Sequence, residues 1–597
     1  MTNSDSVVDV ERSLLAGVST DVGWRLIERF STLVRESGMA DEHAGADYIV
    51  DELSRMGIDH EVHEPELFLS LPRAASVSWN GRECRAKPPA FAVPTPSEGV
   101  AAPGVYLPVP PMRDLGEIFD DKHAAGGGEP PVRGKIVVTN GYAMPSVVQR
   151  FERAGAVAQV YINPGANIHW GICTPIWGTP TSDNIEQKPR TPVVAVSQPD
   201  GDSLIDALER GAAELTVRAA LDEGWFPCKL PVATIKGAGV GAGAGAGAGA
   251  SDDFLLVHGH YDSWDIGIGD NAVGDATLLE LARIFHEHRD RLQRSLMIAW
   301  WPGHSTGRYA GSTWFADNFA MQLRKHCIAA VNIDSPGCRG ATAYEDVMWM
   351  AEADTLCRQS IQDATGQPAA RRRPIRAGDY SFNQIGLTSF FMLLSNIPQE
   401  EREKHGLYPV GGCGGNIAWH TEDDVLDVAN RDELEHDLRV YVTAIGRVLN
   451  SAILPFDHRL AVQEMDDALR EYENEAGDLA DLSVVRQELD GLRTSLAEFY
   501  EDVESDTVTQ TNDSINRKIT ELSRILVPLN YARGRRFDHD PALPLGTIPM
   551  LSDVATLKSC RSHTPEQLPF LQAGIRRNAN RIAAALYDAA MLVRHNP

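Results

Sequence analysis

Five residues in this chain have the types and spacing to hold a metal. His260 and Asp262 close one apolar run, Asp270 follows after a glycine-rich turn, Asp334 ends a second run, and His420 stands between Trp419 and Thr421. Imidazole nitrogens and carboxylates brought together from separate elements are what a divalent ion requires. Two apart on an extended segment, His260 and Asp262 face the same side, where the carboxylate can accept the second ring N–H and set the tautomer. Asp270 lies at a strand–helix junction, from which one carboxylate can bridge two ions. His258, two residues before His260, reads as a packed strand histidine. The chemistry implied is activation of water and polarisation of a carbonyl.

Such residues need a scaffold whose strand ends converge. Phe254-Leu255-Leu256-Val257, Leu296-Met297-Ile298-Ala299-Trp300, Ile328-Ala329-Ala330-Val331 and Phe390-Phe391-Met392-Leu393-Leu394 are continuous apolar runs of strand length. A helix carrying Leu278, Leu281, Ala282 and Phe285 on one face falls between the first two. This alternation predicts an α/β domain with a sheet covered on both faces, and in such sheets sites gather at strand C-terminal ends. Residues 20–60 are expected to be helical. Residues 71–230 have the texture of a β-rich module, with strands at Ile136–Val138, Val160–Ile162 and Pro192–Val196. The glycine–alanine alternation over 237–250 predicts a flexible turn. From 456 to 597 apolar stripes through Leu489, Leu496, Ile519 and Ile582 predict a helical domain that buries them in a bundle or against a second chain. The reading therefore divides the chain into 1–70 with 231–455, 71–230, and 456–597.

With 55 Lys+Arg against 83 Asp+Glu the net charge is −28, which argues against nucleic-acid or anionic-membrane partners. No run is apolar for long enough to span a bilayer. The N-terminus lacks the basic start and apolar core of a signal peptide, and the eight cysteines show no paired spacing, so a reducing cytoplasm is expected. Arg371, Arg372, Arg373 and Arg376 form the one dense basic run, read as a solvated face with carboxylate recognition as the alternative.

Taken together, the run from Asp252 to Gly274, the segment RAGDYSFNQIG from Arg376, the motif WHTEDD from Trp419 and the helical stretch INRKITELSRILVPLN resemble the glutamate carboxypeptidase II and transferrin-receptor branch of the co-catalytic zinc aminopeptidases. The resemblance implies a zinc-aminopeptidase-like α/β/α sandwich, an inserted β-rich protease-associated domain over 71–230, and a C-terminal helical dimerisation domain. It implies that His260 and Asp334 bind one ion, that Asp270 bridges, and that His420 binds a second. The family carries a Glu-Glu pair after Trp301, the first glutamate a base and the second a ligand. Here His304 and Ser305 take those places, and one extra residue precedes Gly311-Ser312. Serine is the poorer ligand. His304 either joins the metal ligands or replaces the glutamate as general base.

The expectation is a cytoplasmic, homodimeric, metal-dependent hydrolase cleaving an amide or peptide-like C–N bond of a small or short peptide-like substrate. One or two ions are expected, zinc first, with iron or manganese as alternatives. His304 and Asp262 are the expected catalytic residues; Trp419, Asp379, Tyr380 and Arg376 are expected to touch substrate. The alternatives are a metal-dependent lyase or isomerase on the same scaffold and a non-catalytic, receptor-like binding protein.

Overall fold

The computed structural model describes residues 3–110, 112–119, 131–211, 213–239, 252–505 and 510–594. Most of the glycine–alanine tract, expected to be a flexible turn, lies outside the described residues.

Phe254–His260 is the strand around which the first sheet is built. All seven of its residues are buried, and it pairs in parallel with Ser295–Trp301 on one side and Cys327–Asn332 on the other. Because successive side chains alternate faces, one apolar run supplies two cores. Leu255 and Val257 pack with Leu278, Leu281 and Phe285 of the Val273–Glu287 helix, whereas Phe254 and Leu256 pack with Phe315 and Leu323. Burying each such side chain stabilises the fold by about 1.5–3 kcal/mol. Thr388–Met392 extends the parallel set, and five further residues, Asp59–His63, pair antiparallel with Leu230–Ile235 at one edge of the eight-stranded sheet. The result is a mixed α/β fold with helices on both faces.

A second, seven-stranded sheet is dominated by Glu66–Trp79 and Glu214–Pro227, 14 residues each and paired along nearly their whole length. The cut expected at residue 70 thus falls inside a strand. The chain passes from one sheet to the other between His63 and Glu66 and returns between Pro227 and Leu230. The near end of this ribbon rests on the first sheet's domain: Leu67, Leu69 and Leu71 pack with Ala310, and the Ser70 N–H donates to the Thr306 carbonyl. Residues 20–60, expected to be helical, form the helices Asp21–Phe30 and Ala40–Met56.

The C-terminal region contains helices His458–Ala476, Ser483–Glu504, Asn512–Tyr531 and Leu568–Arg594. Of the two alternatives for the stripe through Leu489 and Leu496, the bundle holds: both are buried in this chain's own core together with Ile575, Ile582 and Leu586. One expectation changes. Arg371 and Arg373 are not a solvated face: both pair with Glu464 of the first of these helices, at 2.9 and 2.7 Å, and Arg372 pairs with Asp346. The basic run ties the sheet domain to the helical region. Among the described residues no helix is long and apolar enough to cross a membrane.

Leu496→Ala removes a fully buried side chain between two helices and is expected to cost about 2–5 kcal/mol. Urea unfolding followed by far-UV dichroism checks this; an unchanged midpoint accompanied by a smaller sedimenting species would move Leu496 to an interface between copies.

Candidate metal centre

Three neighbouring strands deliver the first group of residues to one crevice. His260 ends its strand, Asp334 lies two residues beyond Asn332, and the Pro302–Ser305 turn follows Trp301. Asp270 comes from the opposite lip, at the start of the helix that covers the sheet. Its backbone N–H and that of Gly269 donate to Asp424, at 3.0 and 2.6 Å. The Asn271 side chain donates to the carbonyls of His260 and Ile333 and accepts the Ser335 N–H. A Cβ at position 274 would meet Asn271 Oδ1 at 2.2 Å, so this bracing requires Gly274.

The two oxygens of Asp270 face two histidines. Oδ1 lies 3.0 Å from His260 Nε2, Oδ2 lies 2.9 Å from His420 Nε2, and Asp334 is 3.8 Å from His260 Nε2. The far side of each ring sets its tautomer. His260 Nδ1 is 3.0 Å from the Asp262 carbonyl, His420 Nδ1 is 2.9 Å from the Trp170 carbonyl, and His304 Nδ1 is 2.7 Å from Asp379 Oδ2. Carbonyl and carboxylate oxygens only accept, so each Nδ1 carries a hydrogen and Nε2 is the nitrogen left to face an ion.

The residues present fit a divalent ion. His260 Nε2 and Asp270 Oδ1 are buried, close, and hydrogen-bonded to nothing. Burial alone would strip a proton from His260, yet Asp262, Asp270 and Asp334 hold its pKa well above the usual histidine value. Burial likewise opposes ionisation of Asp270, but His260 and His420 hold it well below the usual carboxylate range. Both shifts express one demand for positive charge between these groups, and a divalent cation meets it. Imidazole with carboxylate is a donor set suited to zinc, and to iron or manganese as well.

His304 stands with His260 and Asp334, not with His420. Its ligand nitrogen lies within 4.8 Å of donor atoms of His260 and Asp334, and its ring stacks on that of His260 at 3.7 Å and 17°. Behind it Asp379 also accepts the Ser312 hydroxyl at 2.6 Å. Burial opposes ionisation of Asp379, but the His304 charge and hydrogen bond hold it below the usual range.

Four sequence expectations are corrected here. Asp262 is not a catalytic group: fully buried, it accepts the Ser37 hydroxyl and the backbone N–H groups of His304 and Ser305, at 2.8, 3.1 and 2.9 Å. It anchors the turn that presents His304. Asp379 does not face substrate but holds His304. Tyr380 is buried with its hydroxyl unpartnered and is absent from the cavity lining. Arg376 turns away to the carbonyls of Asp540 and Pro541 and lies over Trp177. Trp419 does line the cavity, stacked on His420 at 3.7 Å. His258 is a packed histidine: it accepts from the Trp301 indole, and burial pushes its pKa down to about 4.

The cavity over this centre has about 90 Å³ of free space, and its lining includes residues the sequence did not single out: His169, Trp170, Tyr142, Arg308 and Tyr309. Arg308 and Tyr309 both hold a left-handed backbone, φ 49° and 70°. Strain of this kind, about 1–3 kcal/mol per residue, persists where the surroundings enforce it. The signal for Arg308 was its place beside the extra residue before Gly311-Ser312. His169, pushed by burial down to about 3, is neutral and bridges the Trp419 carbonyl and the Tyr408 hydroxyl.

Comparison with known proteins bears on the fold that carries these residues. Residues 244–445 match the Peptidase family M28 model. A Schizosaccharomyces pombe protein named as an inactive zinc metalloprotease is 22% identical over 268 residues, 42% of this chain and 32% of that one, so the match spans about a third of the relative's length. An aminopeptidase from Aneurinibacillus sp. strain AM-1 superposes with a TM-score of 0.52 and 17% identity, covering 73% of this chain and 95% of the aminopeptidase. A peptidase M28 precursor from Shewanella amazonensis gives 0.54 and 16%, covering 76% and 98%. The fold is similar to that of M28 zinc aminopeptidases.

Asp270→Ala removes the carboxylate that faces both His260 and His420. Zinc affinity measured by equilibrium dialysis is expected to fall by about 100-fold or more; affinity equal to the parent's would place the metal elsewhere.

Proposed function

We propose that this protein is a metal-dependent hydrolase of an amide or peptide-like C–N bond in a small substrate, with a single tightly held ion on His260, Asp270 and Asp334 and with His304 as general base. The carrying observation is the orientation of His304. Asp379 accepts its Nδ1–H at 2.7 Å, as a carboxylate does behind a general base, and its ring lies face to face with that of His260 at 3.7 Å. On that pairing we read His304 as the base, although its ligand nitrogen also lies within 4.8 Å of donor atoms of His260 and Asp334. A second ion would have His420 and the outer oxygen of Asp270, with Ser305 in the place of a carboxylate, and would be held weakly.

A divalent ion bound there polarises the substrate carbonyl and lowers the pKa of water. The chain supplies the proton handling. His304 Nε2 accepts a proton from the attacking water, and the same imidazole passes it to the departing nitrogen. Asp379 keeps the opposite ring N–H aligned and balances the charge that develops on the ring, as the carboxylate does in a Ser-His-Asp arrangement. Ser312 and the buried setting keep that carboxylate from rotating. Asp262, through the backbone N–H groups of residues 304 and 305, fixes the turn on which the base is carried.

A non-catalytic reading follows from the name given to the S. pombe relative. The oriented His304–Asp379 pair favours the enzyme, because a binding scaffold has no use for an aligned base beside a ligand set. A reducing compartment suits the eight cysteines, all free and seven of them buried.

His304→Ala is expected to lower kcat by about 100-fold or more and to leave bound zinc per chain unchanged. Loss of the ion in this variant, seen by elemental analysis, would make His304 a ligand and contradict its assignment as base.

A further inference from the structure

Arg308 lines the same cavity as Asp270, His304, Asp334 and His420, yet is only 4% exposed. Its guanidinium makes one hydrogen bond, from Nη1 to the Ile172 carbonyl at 3.2 Å. Its Nε is buried without a partner, and among the described residues no carboxylate stands within ion-pair distance. The other deeply buried arginines are not left this way. Arg35 donates to the carbonyls of Tyr261, Ile266 and Gly267, and Arg524 to those of Arg324, Gly386, Leu323 and Cys327. Arginine cannot shed its charge to escape burial. An unpaired buried charge is among the costlier features a fold can carry.

The surroundings sharpen the point. The Arg308 guanidinium lies 5.5 Å from the Tyr309 ring, Tyr309 packs on Trp177 at 4.2 Å, and Arg376 covers Trp177 at 3.8 Å. Arg376 itself is pushed down to about 10 by burial, with Arg308 adding to the effect. Arg308 thus brings positive charge to one wall of the cavity, while another part of the lining carries Asp270 and Asp334. His169, neutral, adds no charge of its own. The planar fork of a guanidinium matches a carboxylate through two parallel N–H···O bonds.

We infer that Arg308 is the anion-binding residue of this cleft and that the substrate presents a free carboxylate to it, as in an N-acylated amino acid or the last residue of a short peptide. This rests on the hydrolase reading for the bond that is cleaved, but not for the binding itself. A neighbouring cavity of about 380 Å³ shares Ile118, Phe119, Tyr142 and Met144 with the cleft, which suits an apolar group beside that carboxylate.

The test is calorimetric binding of N-acetyl-phenylalanine and of N-acetyl-phenylalaninamide to the full-length, zinc-loaded protein. The acid is expected to bind about tenfold or more tightly than the amide, the scale of one charge-assisted pair. Arg308→Met should abolish that preference and Arg308→Lys should retain part of it. No preference in the parent, or a preference that survives Arg308→Met through the metal alone, overturns the inference. Thermal unfolding without ligand separates a structural role: Arg308→Met is expected to unfold no earlier than the parent, and a markedly lower Tm would overturn the assignment. Because the readout is binding, a protein that prefers the acid but hydrolyses nothing contradicts the hydrolase reading alone.

Discussion

The structure depends on an imbalance of charge in one buried crevice. Asp262, Asp270 and Asp334 crowd His260, and none of them has an arginine or lysine as an ion-pair partner among the described residues. Close carboxylates in a poorly solvated place repel one another strongly unless a cation is interposed. A proton on His260 meets that demand partially, and a divalent ion meets it better. Asp270, with one imidazole on each oxygen, is the point at which metal, fold and chemistry are coupled.

Much of the surrounding scaffold serves to keep that arrangement from relaxing. Arg35, wholly buried, donates to the carbonyls of Tyr261, Ile266 and Gly267 and so braces the loop that joins His260 to Asp270. Asp424 clamps the far end of that loop through the N–H groups of Gly269 and Asp270. Burial, with Asp270 nearby, pushes the Asp424 carboxyl up to about 7. Asp262 holds the opposite turn, and Asp379 holds the ring of His304. Each support fixes either a backbone segment or a ring nitrogen, which is how supporting groups determine the direction in which ligand lone pairs point.

His260 and Asp334 could be picked out because each stands at the end of an apolar run, and a parallel sheet places such ends side by side. Asp270, after a glycine-rich turn, and His420, in a loop, were singled out with the help of the resemblance, and the fold brings Asp270 to 3.0 Å from His260 and 2.9 Å from His420. Asp262, Asp379, Tyr380 and Arg376 were assigned to the wrong tasks because neighbours along the chain do not reveal which way a buried side chain turns. Arg308 escaped notice because its position depends on a turn in left-handed backbone, which no periodicity announces. The stripe through Leu489 and Leu496 showed that a surface must be buried without showing against what. The ribbon of Glu66–Trp79 and Glu214–Pro227 pairs residues far apart in sequence, so neither strand marked the domain edge by itself.

The central claim, which rests on the proposed function, is that this crevice holds one ion tightly and a second weakly, since His260, Asp270 and Asp334 would serve the first position and only Asp270 with His420 the other. Zinc titration of the metal-stripped, full-length protein, followed by isothermal calorimetry with elemental analysis of the product, tests it most directly. The account predicts one tight equivalent per chain, with any second equivalent bound at least about 100-fold more weakly. Two equivalents of equal affinity, or none, would contradict it.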